Sequence, residues 1–449
     1  MRSDRQGLQK KNLTASGATV VSLPPHLLFE TNTTAMHNLQ LRPLLPTLLL
    51  GLALGAQAAT LKVGDNEAFA TISQAIKSAA PGDVIIITEG TYTERLFIGK
   101  PLTLRGLGTA IIDGQMKGTV VDVRSDDVVI EGLHIINSDR SSLRDYCGIK
   151  VEDARRVTIR NNRLRSNQFS IQLMNCTDCE VAGNDVESDI SEMQVMGNAI
   201  HCWKCERIHI HHNTVGHNRD GIYLEFVYES DIHHNRVAYC ERYGLHFMFS
   251  HFNRYFDNHF IGSRAGVAVM YTHDVEMRGN IFEQCRGASS YGLLLKEIQR
   301  GRIHHNHFRH NTVGILMDGG VELSITHNEL RQNGWGMRVV ASSTNDTISR
   351  NNFIGNTFDV ATNGSFNSNV FDGNYWDKNT AYDLDHDGVA DVPYHMLSLF
   401  SALAERNHAV LLFFRSFLMT LMEQSERLLP TITPDNYVDN APSLTPFEI

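Results

Sequence analysis

One short pattern of apolar and polar positions recurs through the middle of the chain: apolar, two variable residues, asparagine, one variable residue, apolar. Its asparagines are Asn162 (IRNNRL), Asn184 (VAGNDV), Asn213 (IHHNTV), Asn235 (IHHNRV), Asn258 (YFDNHF), Asn280 (MRGNIF), Asn306 (IHHNHF), Asn328 (ITHNEL), Asn351 (ISRNNF) and Asn369 (FNSNVF). Most steps are 22 or 23 residues, and longer ones, such as 29 from Asn184 to Asn213 and 26 from Asn280 to Asn306, read as loops inserted into otherwise equal coils. Fourteen residues before the asparagine, a small residue (Gly148, Ser170, Ala199, Gly221, Gly244, Gly266, Gly292 and Gly314) opens an apolar-x-apolar stretch. Strands this short cannot bury their apolar sides alone, so the period predicts an all-β parallel solenoid of stacked coils. Asparagine tolerates left-handed backbone and bonds nearby main chain, which predicts an asparagine ladder at a turn. The same alternation predicts Ile210, Ile232, Ile303 and Ile325 buried, with His211, His233 and His304 exposed.

Both ends depart from the repeat. Leu44 to Gly55 (LLPTLLLGLALG) is a short apolar run followed by Ala56-Gln57-Ala58, an A-x-A cleavage pattern, so an export leader starting at Met36 and a mature chain from Ala59 are expected. The run falls short of the ~20 residues that span a bilayer. Loss of residues 1–58 removes five basic and two acidic residues and takes the net charge from −10 to −13. Such an acidic surface excludes unaided nucleic-acid binding, which needs cations to displace counterions from phosphates. After Pro393, Leu397 to Pro430 (LSLFSALAERNHAVLLFFRSFLMTLMEQSERLLP) has no glycine and no internal proline, and predicts two helices broken near Asn407. The expected organisation is a leader (1–58), a solenoid (59–376), an acidic loop (377–394) and a helical tail (395–449).

Residues at equal offset in successive coils should stack about 4.8 Å apart. His211 and His212 then lie above His233 and His234, either as a copper site or as a polar turn. Cys202 takes an inward position equivalent to Leu224 and Val269, and no second cysteine pair completes a zinc ribbon around Cys202 and Cys205. Cys205 shares a column with Cys176 at a separation suited to a disulfide, which an oxidising compartment permits. The outward face of the strand carries Met174, His201, Trp203, Tyr223, His246, Met248 and Met270. Thioether and imidazole groups favour Cu(I), while methionine and aromatic rings, Trp203 and Tyr223 foremost, equally suit protein docking.

Asp383, Asp385, Asp387 and Asp391 surround Gly388 with the spacing of the first part of a calcium loop, although Tyr394 stands where an EF-hand needs glutamate. Structural calcium and a solvated acidic turn are both open. In the tail, Leu412, Phe413, Phe417 and Leu421 supply a surface that either caps the solenoid or docks on a partner. A carbohydrate-active lyase, hydrolase or epimerase is the alternative function, because solenoids host such enzymes. Against it, Glu152, Glu225 and Asp318 of the outward column are three and four coils apart, about 14 and about 19 Å, beyond the reach of a glycosidic carboxylate pair, although acids on other faces, such as Asp220, Asp231 and Glu297, stay open.

Phe69 to Gly114 (FATISQAIKSAAPGDVIIITEGTYTERLFIGKPLTLRGLGTAIIDG) resembles the N-terminal cap and first coils of right-handed β-helix proteins, with an amphipathic helix around Ile72 to Ala79 over the open end. Gly373 to Tyr394 (GNYWDKNTAYDLDHDGVADVPY), followed by the helical tail, resembles the NosD family, the periplasmic β-helix component of the copper-handling ABC system that serves nitrous oxide reductase. The resemblance covers nearly all of the mature chain. It implies a right-handed parallel β-helix without turnover of its own, which passes copper transiently. The implied partners are an ABC transporter permease and ATPase, a copper chaperone and nitrous oxide reductase, with membrane contact only through the permease.

Overall fold

The computed structural model describes residues 58–364, 367–414, 416–428 and 437–449. The leader, apart from Ala58, lies outside the described residues. Each coil contributes one strand to each of three parallel sheets. A coil in the middle of the stack runs from Phe169–Met174 on the front sheet, through Glu180–Ala182 on the side sheet, to Asp185–Glu187 on the back sheet. Among the described residues the front, side and back sheets have 12, 16 and 13 strands, so the chain is a β-solenoid.

The interior is a column of aliphatic and aromatic side chains. Ile210, Ile232, Ile303 and Ile325 are fully buried, and Phe260, Phe282 and Phe308 stack with ring centroids 5.5 and 4.6 Å apart. His211, His233 and His304 are half-buried, less exposed than the alternation predicts, because His211 and His233 stack on each other and His304 packs edge-on against His305. The small residues that open the front strands have a steric cause: a Cβ on Gly221 would lie 2.5 Å from the Gly244 carbonyl, and one on Gly244 2.6 Å from that of Gly266.

The asparagine ladder forms. In Asn258 the backbone N–H and the side-chain amide both donate to Asn280 Oδ1 at 3.0 Å, and the amide also donates to the Ile232 carbonyl at 2.9 Å. The ladder runs from Asn162 to Asn351, but its next member is Asn374, 23 residues on, and not Asn369. Asn369 accepts instead from Asp346 N–H at a different turn. Its short step of 18 residues from Asn351 already breaks the period.

Both ends are closed. Helix α1 (Ile72–Ser78) is capped by Thr71, buries Ile72, Ala75 and Ile76, and receives the Glu94 carboxylate on the N–H groups of Ile72 and Ser73. At the other end α2 (Leu399–Arg406) stops at Asn407, a 3-10 segment covers His408–Phe413, and α3 (Phe417–Leu428) follows. Phe400 and Ala404 are buried, with Phe400 stacked on Phe358 of the last front strand at 6.0 Å. The tail is not helical to its end. Val438–Asp439 returns as a strand, parallel to the side sheet at Phe371 and antiparallel to Tyr394–His395.

Candidate functional site

Strand pairing on the front sheet aligns two outward columns. One reads Gln172, His201, Tyr223, His246, Ala268, and the other Met174, Trp203, Glu225, Met248, Met270. Met174, His201, Trp203, Tyr223, Met248 and Met270 are partly exposed. His246 is not: it is 5% exposed, with its ring 4.8 Å from that of Tyr223 and 4.7 Å from that of Tyr243. The expectation of an open outward histidine is corrected there, because the column fixes the direction of a side chain but not what covers it.

Neither ring nitrogen of His246 has a hydrogen-bond partner, nor does His201 Nε2. The group nearest in charge to His246 is Asp220, whose Oδ2 lies 3.8 Å from Nδ1 and is held by a bidentate bond from Arg242 at 2.9 and 3.1 Å. Burial, reinforced by Arg219, lowers the pKa of His201 to about 4, so it is a neutral donor at neutral pH. Tyr223 donates its hydroxyl to the Met248 sulfur at 3.7 Å, and burial, with Glu225, pushes its pKa up to about 12. Tyr243 and Arg242 were not identified from sequence, and Asp220 only as an acid on another face. Asp220 and Tyr243 are register partners at the start of their strands, a position that the inward-outward rule for the strand body does not reach.

The histidines at the side-sheet turn do assemble. His211 stacks on His233 at 4.8 Å and His212 on His234 at 4.9 Å. Cys202 is buried in the core as expected. The predicted Cys176–Cys205 disulfide is corrected: both are buried free thiols in adjacent coils. Cys176 donates to the Met174 carbonyl at 3.3 Å and lies 3.6 Å from that of Val151, and Cys205 donates to the Trp203 carbonyl at 3.3 Å and lies 3.5 Å from that of Leu173, so each thiol is engaged by main-chain carbonyls of its own and the preceding coil.

In the acidic loop, ligand oxygens of Asp383, Asp385 and Asp387 lie within 4.8 Å of one another, the only group of three or more His, Cys, Asp or Glu ligands that converges among the described residues. Asp391 is turned aside to accept from Leu384 N–H at 2.7 Å. Asp387 raises the pKa of Asp385, a repulsion that a hard cation on these oxygens would relieve. Such a donor set does not suit Cu(I). Among the described residues no three histidine or cysteine ligands converge either, so a Cu(I) stop on the front face depends on methionine sulfur. In the tail, Leu412 is 86% exposed, Phe417 81%, and Phe413 and Leu421 each 51%. These four stay outside while Phe400 does the capping.

The model of the family described as "Periplasmic copper-binding protein (NosD)" matches residues 185–381, a stretch that holds most of the front face and ends before the aspartates of the acidic loop. Two relatives, each called a probable ABC transporter binding protein NosD, are 29% identical. That of Stutzerimonas stutzeri aligns over 79% of this chain and 85% of its own length, and that of Pseudomonas aeruginosa over 79% and 87%. The chain is similar to NosD proteins over most of its length. The family's description is periplasmic, the compartment type that the expected export leader implies. Among solved structures, the catalytic unit of an α-1,3-glucanase from Streptomyces thermodiastaticus aligns at 12% identity and TM-score 0.53, over 72% of this chain and 69% of its own. The Dettilon tailspike protein aligns at 14% and 0.50, over 66% and 65%. These likenesses describe the solenoid that this chain shares with them and carry no activity.

Proposed function

We propose that this protein is a NosD-type periplasmic accessory subunit of an ABC-type transporter and passes Cu(I), received from a copper chaperone, toward the copper centres of nitrous oxide reductase. The observation that carries this reading is the front face, where Met248 sulfur, Tyr223 and the unpartnered nitrogens of His246 and His201 adjoin on neighbouring strands. Soft, neutral donors in a partly covered setting suit a cation that must bind and leave again. Trp203 and Tyr223 beside them supply contact area for the chaperone. The exposed tail residues Leu412, Phe413, Phe417 and Leu421 dock on the permease, which with its ATPase forms the membrane partner. Calcium in the acidic loop has a structural role at the far end of the stack.

The reading assigns no turnover to the protein. The registered strands put Glu152, Glu225 and Asp318 three and four rungs apart, which supports this, since a retaining or inverting glycosidase needs its carboxylates within about 5–9.5 Å. The test is a Cu(I) titration of the purified mature chain with and without the chaperone. Copper uptake that rises when the chaperone is present supports the proposal, and no uptake in either arm contradicts it.

A further inference from the structure

Three times the chain spells Ile-His-His-Asn, at 210–213, 232–235 and 303–306. In each, the first histidine ends a side-sheet strand and the second takes left-handed backbone, with φ of 55° at His212, 54° at His234 and 55° at His305. Neighbours in an extended strand point to opposite faces. The left-handed residue instead brings its ring back beside the first, and the two Nδ1 atoms of each pair meet at 2.9, 2.9 and 3.0 Å. The paired rings are nearly perpendicular, at 88°, 88° and 86°.

A carboxylate stands behind the first histidine in two of the three pairs. Glu180 Oε1 is 3.1 Å from His211 Nε2, and Glu276 Oε1 is 3.2 Å from His304 Nε2. Because a carboxylate accepts, Nε2 donates the ring proton and the Nδ1 lone pair is aimed at the partner histidine. Histidines that ligate metals are held in this way, with the far N–H on a carboxylate.

The spacing selects a geometry. With metal–nitrogen bonds of about 2.0 Å, adjacent corners of a square lie about 2.8 Å apart, whereas tetrahedral ligands lie about 3.3 Å apart. We propose that Glu180–His211–His212 and Glu276–His304–His305 each form a site for one tetragonal divalent cation, Cu(II) foremost, bound through the paired Nδ1 atoms with water completing the coordination. The His233–His234 pair stacks one coil from the first site, too close for a second ion without strong repulsion, and so extends that site. Imidazole and carboxylate chemistry separates these corners from the thioether face, and the inference stands on geometry alone, independent of the Cu(I) reading.

The experiment titrates the mature chain with Cu(II) alone and reads electron paramagnetic resonance. Two Cu(II) per chain are expected, with axial spectra split by two imidazole nitrogens each. His212→Asn with His234→Asn should leave one ion, and addition of His305→Asn none. Asparagine keeps the left-handed backbone, as Asn161 does in the same column at φ 54°, so circular dichroism should be unchanged. In a chain that keeps only the first pair (His234→Asn with His305→Asn), Glu180→Gln should weaken Cu(II) about tenfold or more. Loose association with exposed histidines would not show that effect. Two ions retained by the triple variant, or spectra without nitrogen splitting, overturn the proposal. A triple variant that loses Cu(II) but keeps Cu(I) uptake supports it and leaves the thioether reading intact.

Discussion

Asp439 takes the place of the next asparagine above Asn374: its Oδ2 accepts from the backbone N–H of Asn374 at 2.9 Å and from its side-chain amide at 3.1 Å. The same carboxylate accepts from the Trp376 indole at 3.1 Å and from Gly373 N–H at 3.0 Å. A ladder of amides must end somewhere, and the last rung leaves donors without acceptors. A carboxylate, which only accepts, ends it without an orphan. Asp439→Ala should therefore destabilise the protein by at least about 3 kcal/mol, since each unpaired buried donor costs about 1–3 kcal/mol. Asp439→Asn should cost less, because one oxygen remains. Thermal unfolding of the two variants checks this order, and a wild-type melting temperature for the alanine variant would contradict it.

Asp346 shows the opposite case. It is fully buried, Oδ1 accepts from Leu323 N–H at 2.8 Å, Oδ2 has no partner, and burial raises its pKa from 3.8 to about 6. A raised carboxylate pKa means that folding favours the protonated form, so its stabilising contribution is complete below pH 3.8 and is lost as pH rises through about 6. At neutral pH the ionised group is a cost. Asparagine occupies the neighbouring position of this turn at Asn369 and the equivalent position at Asn253, where the amide donates to the Val227 carbonyl at 2.9 Å. Asp346→Asn should thus stabilise the protein by about 1–3 kcal/mol at pH 7 and by little at pH 3.5. Urea unfolding at the two pH values measures the difference, and an equal effect at both would show that the buried charge is not the cause.

The periodicity made the solenoid legible, since a strand-turn unit of fixed length can only stack. It also gave the columns, which the pairing of His201 with Tyr223 and of Met248 with Met270 bears out. What it could not give was contact at a distance. Asp439 lies 65 residues beyond Asn374, and nothing local marks it as the ladder's end. Asn369 imitated the motif because Phe366-x-x-Asn369-x-Phe371 meets its letters but not its step. The buried state of His246 depends on Tyr243, and the free thiols of Cys176 and Cys205 on carbonyls of their own and the preceding coils. A column sets neighbours in space, while rotamer and cover are decided by the packing around them.

The tail offers a separate test. Leu412 and Leu421 are exposed, so glutamate at both positions should leave the coils folded while it removes about 1.5–3 kcal/mol of docking energy per side chain. Co-purification of Leu412→Glu with Leu421→Glu with the transporter should fall by about 100-fold or more, with an unchanged circular dichroism spectrum. Wild-type co-purification would place the dock elsewhere. Loss of the β signal would give the tail only its capping role.

The central claim is that the front face hands on Cu(I) through methionine sulfur. Replacing Met248 and Met270 together by leucine keeps their approximate volume and removes both thioethers. Competition titration with a Cu(I) chelator is the most direct measurement. The account predicts a folded variant whose Cu(I) affinity falls tenfold or more and whose delivery from the chaperone to nitrous oxide reductase fails with it; unchanged affinity and unchanged delivery would contradict it.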